Sequence, residues 1–298
     1  MSDKRLTASD FDPEVMRLFD LYVHGQLDRR GFLAGAARFA AGASGAVGLL
    51  AALSPKFAQA QQVKPDDPKL ATTHVEFDSP DGNGKGRGYL CRPKHAAGKL
   101  PSVLVIHENR GLNPHIEDVA RRFALEGYQT FAPDALFTIG GYPGNEDDAR
   151  ALFQKLDADK TKQDMLAAYL TLAAMDGGNG KVGATGFCWG GGTTNWLAAT
   201  MGDEMQAGAP YYGAAAETAA VPKIRAKLLI HYAENDARIN EMWPGYESAL
   251  KSARVPHQAH IYPGTQHGFH NNSTPRYNEA AAKLSWQRTV EFFRKTLV

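Results

Sequence analysis

From Ala71 onward, short apolar runs alternate with stretches in which apolar residues recur every three or four positions. Residues 72–77 and 86–91 read as strands, and the turn-rich 79–85 joins them as a hairpin. Val103-Leu104-Val105-Ile106 is a continuous β-branched and leucine run, as expected of a strand covered on both faces. Residues 128–132, 181–187, 206–212, 226–232 and 258–262 read as further strands. Between them, 114–126 predicts a helix with Ile116, Val119, Ala120 and Phe123 on its inner face and Gly127 just past its end. Residues 146–175 predict one broken helix or two, 189–201 another, and 277–296 a final amphipathic one. With no internal repeat, this alternation specifies one α/β domain: a mostly parallel central sheet with helices on both faces.

The first sixty residues follow a different pattern. Arg29-Arg30-Gly31-Phe32-Leu33 precedes an Ala- and Gly-rich, modestly apolar stretch over 34–53, and Ala58-Gln59-Ala60 gives a small-x-small site before Gln61-Gln62. This order resembles a twin-arginine export signal cleaved after Ala60. It implies a signal segment over 1–60, a linker over 61–70 and a domain over 71–298. It also implies an export-machinery partner and a periplasmic or exported location. A membrane-spanning helix fits poorly, because Arg38 and repeated glycines interrupt the run. A competing pattern places Asp10 as a helix cap, with Val15, Phe19 and Tyr22 on one face of the helix it starts. That would make the segment a retained helix of a cytoplasmic chain, packed on the domain or on another subunit. Export is the expectation, and it predicts few contacts between 1–60 and the rest.

Composition changes this picture little. The chain is 43% hydrophobic and 22% charged with a formal net charge of +1, an ordinary globular balance. Lys and Arg are scattered, which gives no reason to expect a nucleic-acid partner. Cys91 and Cys188 could form one bridge at most, so no disulfide scaffold exists.

The chemistry gathers at the strand ends. Gly186-Phe187-Cys188-Trp189-Gly190-Gly191 lies between a predicted strand and a predicted helix and matches the G-x-nucleophile-x-G elbow of the α/β-hydrolase fold, with Cys in place of Ser. The strained turn needs small residues two before and two after the nucleophile, and the helix N-terminus beyond it favours thiolate. Asp236 follows in the loop after 226–232, and His267 in the loop after 258–262, giving the chain order nucleophile, acid, histidine. Asp236 would orient His267 and stabilise its cation, and His267 would shuttle the proton. Glu234 is a competing acid, less well placed in its loop.

Together these residues resemble the dienelactone hydrolases, or carboxymethylenebutenolidases. The likeness rests on the cysteine elbow, the Asp loop, Pro263-Gly264-Thr265-Gln266-His267-Gly268-Phe269 and the glutamate in Ile106-His107-Glu108-Asn109-Arg110-Gly111. The resemblance implies a small ester or lactone substrate, a Cys188 acyl-enzyme and no cofactor. It also implies that Glu108 holds the resting thiol, and bottom-up a carboxylate in a closed pocket can accept the S–H proton. The backbone N–H groups of Asn109 and Trp189 would form the oxyanion hole. A salt bridge from Glu108 to Arg110 or Arg121 is its structural alternative. The family holds a substrate carboxylate with arginines, and one of those positions is Asn271 here. Arg110, Arg238 and Arg276 are candidate replacements, with Trp189, Tyr211, Tyr212 and Phe269 as candidate aromatic lining.

Two other classes compete. A catalytically silent protein could bind or sense small electrophiles through Cys188, although sensing needs no ordered acid and histidine. Metal hydrolysis through His107, His115, His267 and His270 lacks an H-E-x-x-H helix, so no metal is expected.

Overall fold

The computed structural model describes residues 5–40 and 45–298. Four helices come first: α1 (Pro13–Val23), α2 (Arg29–Ala36), α3 (Gly45–Leu53) and α4 (Phe57–Ala60). Residues 41–44 of the apolar stretch lie outside the described residues. The cap of α1 is Asp12 rather than Asp10. The Asp12 carboxylate accepts from the Glu14 N–H at 2.8 Å and Pro13 occupies the first helical position, where its missing N–H costs nothing. Asp10 instead accepts from the Thr7 N–H in a preceding single turn. None of the described helices is long and apolar enough to cross a membrane.

The expectation of few contacts from residues 1–60 is corrected. Val15, Phe19 and Tyr22 do share a face and are buried, in one apolar cluster with Phe32, Leu50 and Leu53. That cluster is internal to the segment, and polar bonds dock it on the domain. The Tyr22 hydroxyl donates to Asp147, Arg29 Nη1 pairs with the same carboxylate at 2.6 Å, and Arg150 donates to the Tyr22 carbonyl. Farther along, the Lys56 N–H donates to the Ser273 carbonyl at 2.7 Å and Asn272 to the Ala60 carbonyl at 2.6 Å. Apolar periodicity reveals that a face is covered. It cannot reveal that the partner is a carboxylate more than a hundred residues away.

The sheet has eight strands: β1 (Leu70–Ser79), β2 (Gly84–Pro93), β3 (Leu100–Ile106), β4 (Gln129–Pro133), β5 (Gly178–Phe187), β6 (Ala207–Tyr211), β7 (Lys227–Asn235) and β8 (His257–Gln266). Their order is β1-β2-β4-β3-β5-β6-β7-β8. The hairpin β1–β2 pairs antiparallel, β2–β4 likewise, and every other neighbour is parallel. All eight expected strands are present. The helices after the hairpin are α5 (Pro114–Leu125), α6 (Glu146–Phe153), α7 (Ala158–Ala174), α8 (Trp189–Met201), α9 (Ala237–Asn240), α10 (Trp243–Ser252) and α11 (Glu279–Leu297). The 146–175 stretch is thus two helices, with Asp157 capping the second.

The β3 run explains the two layers. Val103 and Val105 pack with Ile116, Val119 and Phe123 of α5 and with Val290 and Phe293 of α11. Leu104 and Ile106 point to the opposite layer, with Met165 and Leu172 of α7 and Leu197 of α8. Cys91 is fully buried on β2, and both cysteines are free thiols.

Candidate active site

The order of β3, β4 and β5 reverses direction at β3, where crevices open at the carboxyl ends of an α/β sheet. Ile106 lies in register with Gly186, so the residues just past β3 and β5 emerge side by side. Those residues are Glu108 and Cys188. Likewise Asn235 is in register with Gln266, which sets Asp236 beside His267. Strand pairing alone therefore brings four candidates from distant parts of the chain to one edge.

Cys188 has φ +55° and ψ −112°, a conformation an L-residue adopts only under constraint. The constraint is close packing. A Cβ on Gly186 would fall 2.1 Å from the Gly190 carbonyl oxygen, and one on Gly190 would fall 2.4 Å from that of Ile106. The small residues at the elbow are thus required by approach of backbone to backbone.

His267 Nδ1 donates to Asp236 Oδ2 at 2.6 Å, and both residues are buried. The sulfur of Cys188 and ring nitrogens of His267 and His24 all lie within 4.8 Å of one another. His24 was not anticipated. Its Nε2 is 3.7 Å from Cys188 Sγ and 3.3 Å from His267 Nε2, while its Nδ1 is held by the Asp20 carbonyl at 2.8 Å. His24 follows the last residue of α1, and Gly25, with φ +75°, turns the chain away. A Cβ at Gly25 would meet the Gln154 amide nitrogen at 2.2 Å, so the turn sits tightly on the domain. The only signal for His24 in the sequence was a His-Gly pair closing an amphipathic face, in a segment read as a leader.

Charge follows from this packing. Burial alone would push the Cys188 thiol up, but the His267 charge and hydrogen bonds from His24 and His267 outweigh it and bring it to about 5. Burial would lower His267, but Cys188 and Asp236 raise it to about 10. Both shifts run in the direction that favours a thiolate–imidazolium pair. His24 is held above the usual histidine range, because Asp20 and Cys188 overcome its burial. Cys91, by contrast, is pushed up by burial to about 12.

Other expectations change. Glu108 makes no bond to Cys188 or to either arginine among the described residues. It accepts from Asn271 Nδ2 at 2.9 Å, and imidazoles flank the thiol instead. Arg110 is buried and occupied, donating to the Asn109 and Val23 carbonyls at 2.9 Å each and facing Glu146 at 3.5 Å. Arg276 lies 3.6 Å from Asp20 over the Phe19 ring, and Arg238 Nη2 lies 3.2 Å from His24 Nε2. Glu234 accepts from the Gly264 N–H at 2.8 Å, away from His267. Phe269 is fully buried against Tyr211, Tyr212 and Tyr262; Tyr211 is likewise core, and its hydroxyl bonds Thr289. Trp189 and Tyr212 do line the cleft. The Asn109 side chain donates to the Val23 carbonyl at 3.0 Å.

The four histidines weighed for a metal do not converge. His107 is bound by the Glu108 carbonyl and the Ala135 N–H, and His115 and His270 are core residues. The His24, Cys188 and His267 group is compact enough for a cation, but the Arg238 guanidinium beside His24 opposes one.

Two cavities meet at Cys188. One, of about 50 Å³, touches Phe19, Tyr22, Glu108, Arg110 and Arg276. The other, of about 520 Å³, is lined by Asn109, Phe153, Trp189, Trp196 and Tyr212. His24 borders both.

The family model described as "Dienelactone hydrolase family" matches residues 87–297. A second, described as "YqhI-like", matches residues 3–41. The Escherichia coli (strain K12) protein named "Putative hydrolase fragment YghX" is 51% identical over 112 residues, 38% of this chain and 96% of its own length. The Salmonella typhi protein named "Putative carboxymethylenebutenolidase" is 34% identical over 220 residues, 69% of this chain and 81% of its own. A crystal structure titled "Putative Dienelactone Hydrolase", from Klebsiella pneumoniae subsp. pneumoniae MGH 78578, superposes with a TM-score of 0.65 at 30% identity. It covers 75% of this chain and 99% of that one.

Proposed function

Since the chain belongs to the dienelactone hydrolase family and is thereby a hydrolase of esters or lactones, we propose that Cys188, His267 and Asp236 are its catalytic triad. The Cys188 thiolate attacks the substrate carbonyl carbon, and the N–H groups of Asn109 and Trp189 receive the oxyanion. The tetrahedral intermediate collapses as the His267 imidazolium protonates the leaving alkoxide, leaving a thioester on Cys188. His267, now neutral, takes a proton from water, and the hydroxide formed attacks the thioester. Collapse releases the acid and restores the thiolate–imidazolium pair. Asp236 fixes the tautomer and stabilises the cation throughout. Glu108 positions Asn271 in the cleft wall.

The observation that carries this reading is the buried Asp236–His267 bond of 2.6 Å, with a His267 ring nitrogen within 4.8 Å of the Cys188 sulfur. Turnover of p-nitrophenyl acetate with a trapped thioester on Cys188 is the expected result. A Cys188→Ala variant with unchanged turnover would overturn it, and a labelled but non-turning thiol would point to the electrophile-binding alternative.

Iodoacetamide should modify Cys188 more than tenfold faster than Cys91 at neutral pH, because thiolate is the nucleophile and only one thiol is ionised. Cys188 is an acid whose value is lowered, so its rate should hold down to about pH 5 and fall below that. Equal labelling of both cysteines in the folded protein would argue against an activated nucleophile.

For localisation we infer a cytoplasmic chain that keeps residues 1–60, supported by their docking on the domain through Asp147, Arg150 and Ser273; the order of Arg29-Arg30, apolar run and Ala58-Gln59-Ala60 supports export instead. Mass spectrometry of the protein from its host should find a chain intact from Met1; a chain beginning at Gln61 would sink this and establish export.

A further inference from the structure

Thiolate attack on the ester of an ordinary alcohol carries a chemical difficulty. In the tetrahedral intermediate the sulfur is the better leaving group, so collapse runs backwards unless the departing oxygen is protonated as its bond to carbon breaks. The proton donor must therefore stand on the side where the leaving group lies. The two cavities at Cys188 fix that side. The one of about 520 Å³ is of ligand size, within the range of roughly 300–1,000 Å³, and takes in Cys188 with both proposed oxyanion-hole residues, Asn109 and Trp189. The one of about 50 Å³ has room for one or two waters, at roughly 30 Å³ per water.

The two imidazoles beside Cys188 face these cavities differently. His267 borders the small one, together with Glu108 and Asn271, where a water can reach a thioester on the sulfur. His24 borders both, and among the described residues it is the imidazole on the wall of the large chamber. Its ring is held much as that of His267 is. His24 Nδ1 donates to the Asp20 carbonyl at 2.8 Å, with the Asp20 carboxylate at 3.3 Å. Nε2 is thereby turned toward the Cys188 sulfur, 3.7 Å away, and toward His267 Nε2, 3.3 Å away. A proton on this nitrogen is attracted by the thiolate and by the Asp20 carboxylate, which Arg276 shares at 3.6 Å. It is repelled by His267 and by the Arg238 guanidinium, whose Nη2 lies 3.2 Å from it. A proton so balanced is held yet transferable, as general acid catalysis requires.

We propose that His24, held by Asp20, is a second catalytic histidine, which hands its Nε2 proton to the leaving alkoxide in the Trp189–Trp196 chamber and is reprotonated by His267. This rests on the Cys188, His267 and Asp236 triad and on retention of residues 1–60. During acylation the bond from carbon to the leaving oxygen breaks, and the His24 proton goes to that oxygen. The His267 Nε2 proton then crosses the 3.3 Å gap to His24. One alcohol departs, Cys188 carries the acyl group, His24 is protonated again and His267 is neutral. His267 next takes a proton from the small-side water, as deacylation needs. The net donor is still His267, and His24 carries its proton round to the side of the leaving group. With His24 in place the large chamber still reaches Cys188, so the docked segment completes the site rather than plugging it.

The test compares benzyl acetate with p-nitrophenyl acetate on the full chain. Both give the same acetyl thioester and differ in the basicity of the leaving oxygen, and p-nitrophenolate departs with little need of a proton. His24→Ala should lower kcat/KM for benzyl acetate by about 10³, within the usual yield of a general acid. For p-nitrophenyl acetate the fall should be about tenfold, the worth of one hydrogen bond to the thiolate. His24→Gln, which keeps the bulk of the side chain and the docking of the segment, should show the same inequality. Added imidazole should restore benzyl acetate turnover at least about tenfold in His24→Ala, where it can enter the vacated space, and not in His24→Gln. An equal fall for both esters would mean that His24 only shapes the site, no fall that His267 reaches the leaving oxygen directly, and a rise that His24 plugs the nucleophile; each overturns the assignment. Benzyl acetate hydrolysis surviving Cys188→Ala would instead overturn the nucleophile, and a chain beginning at Gln61 in the host the retention, on which it rests.

Discussion

Cys188→Ala should reduce kcat/KM for p-nitrophenyl acetate by about 10⁵–10⁶, the scale seen when a nucleophile is removed from a triad. The reason is that alanine leaves no atom to form the acyl-enzyme, and only oriented N–H groups and binding remain. His267→Ala should cost nearly as much, and the double variant little more, because the two act as one unit. Asp236→Asn should cost about 10³–10⁴, since the amide can donate to Nδ1 and favour the wrong tautomer. The pH profile of the wild type should be bell-shaped. Cys188 is lowered to about 5, so activity is lost as pH falls through that value; His267 is raised to about 10, so the imidazolium is lost as pH rises through it. Additive effects of Cys188→Ala and His267→Ala, or an acid limb near 8, would break the assignment of a thiolate–imidazolium pair.

Much of this site was legible because the fold makes it so. A parallel sheet delivers the residue after each strand to one edge, and the chain order Cys188, Asp236, His267 needs no knowledge of distances. Gly186 and Gly190 were legible for a similar reason: only close backbone approach requires glycine on both sides of a strained residue. The failures share a cause as well. Arg110, Arg238 and Arg276 lie near Glu108, Asp236 and His267 in sequence, yet each contacts a residue of the N-terminal segment, and no local pattern encodes a contact that far away. Phe269 looks like pocket lining from its place after His267, but its side chain turns into the Tyr211–Tyr262 layer. His24 was missed because a leader-like segment and an active-site wall carry the same amphipathic signature. The face formed by Val15, Phe19 and Tyr22 was legible; its docking through Asp147 and Arg150 was not.

Phe32→Ala offers the sharpest test of that segment. Phe32 is fully buried, edge-on to Phe19 at 6.2 Å and tilted against Tyr22 at 5.6 Å, and far from every triad residue in the chain. Truncating such a ring costs about 3–5 kcal/mol. Its contacts lie within the cluster of Val15 to Leu53, which is separate from the two cores flanking the sheet. The loss should therefore fall on local opening of the segment rather than on the domain. At about 1.4 kcal/mol per tenfold, opening should become roughly 10²–10³ times more frequent. Trypsin cutting after Arg29, Arg30 or Arg38 should accelerate by that factor, because cleavage tracks the open population when reclosing is fast. Alkylation of Cys188 by a bulky maleimide should rise in step, since His24 leaves with α1. The main thermal transition should stay within a few degrees of wild type. Tryptic cleavage unchanged by Phe32→Ala would mean that the segment does not cover the site as a cooperative unit. A large fall in the main transition would mean that it is fused to the domain core.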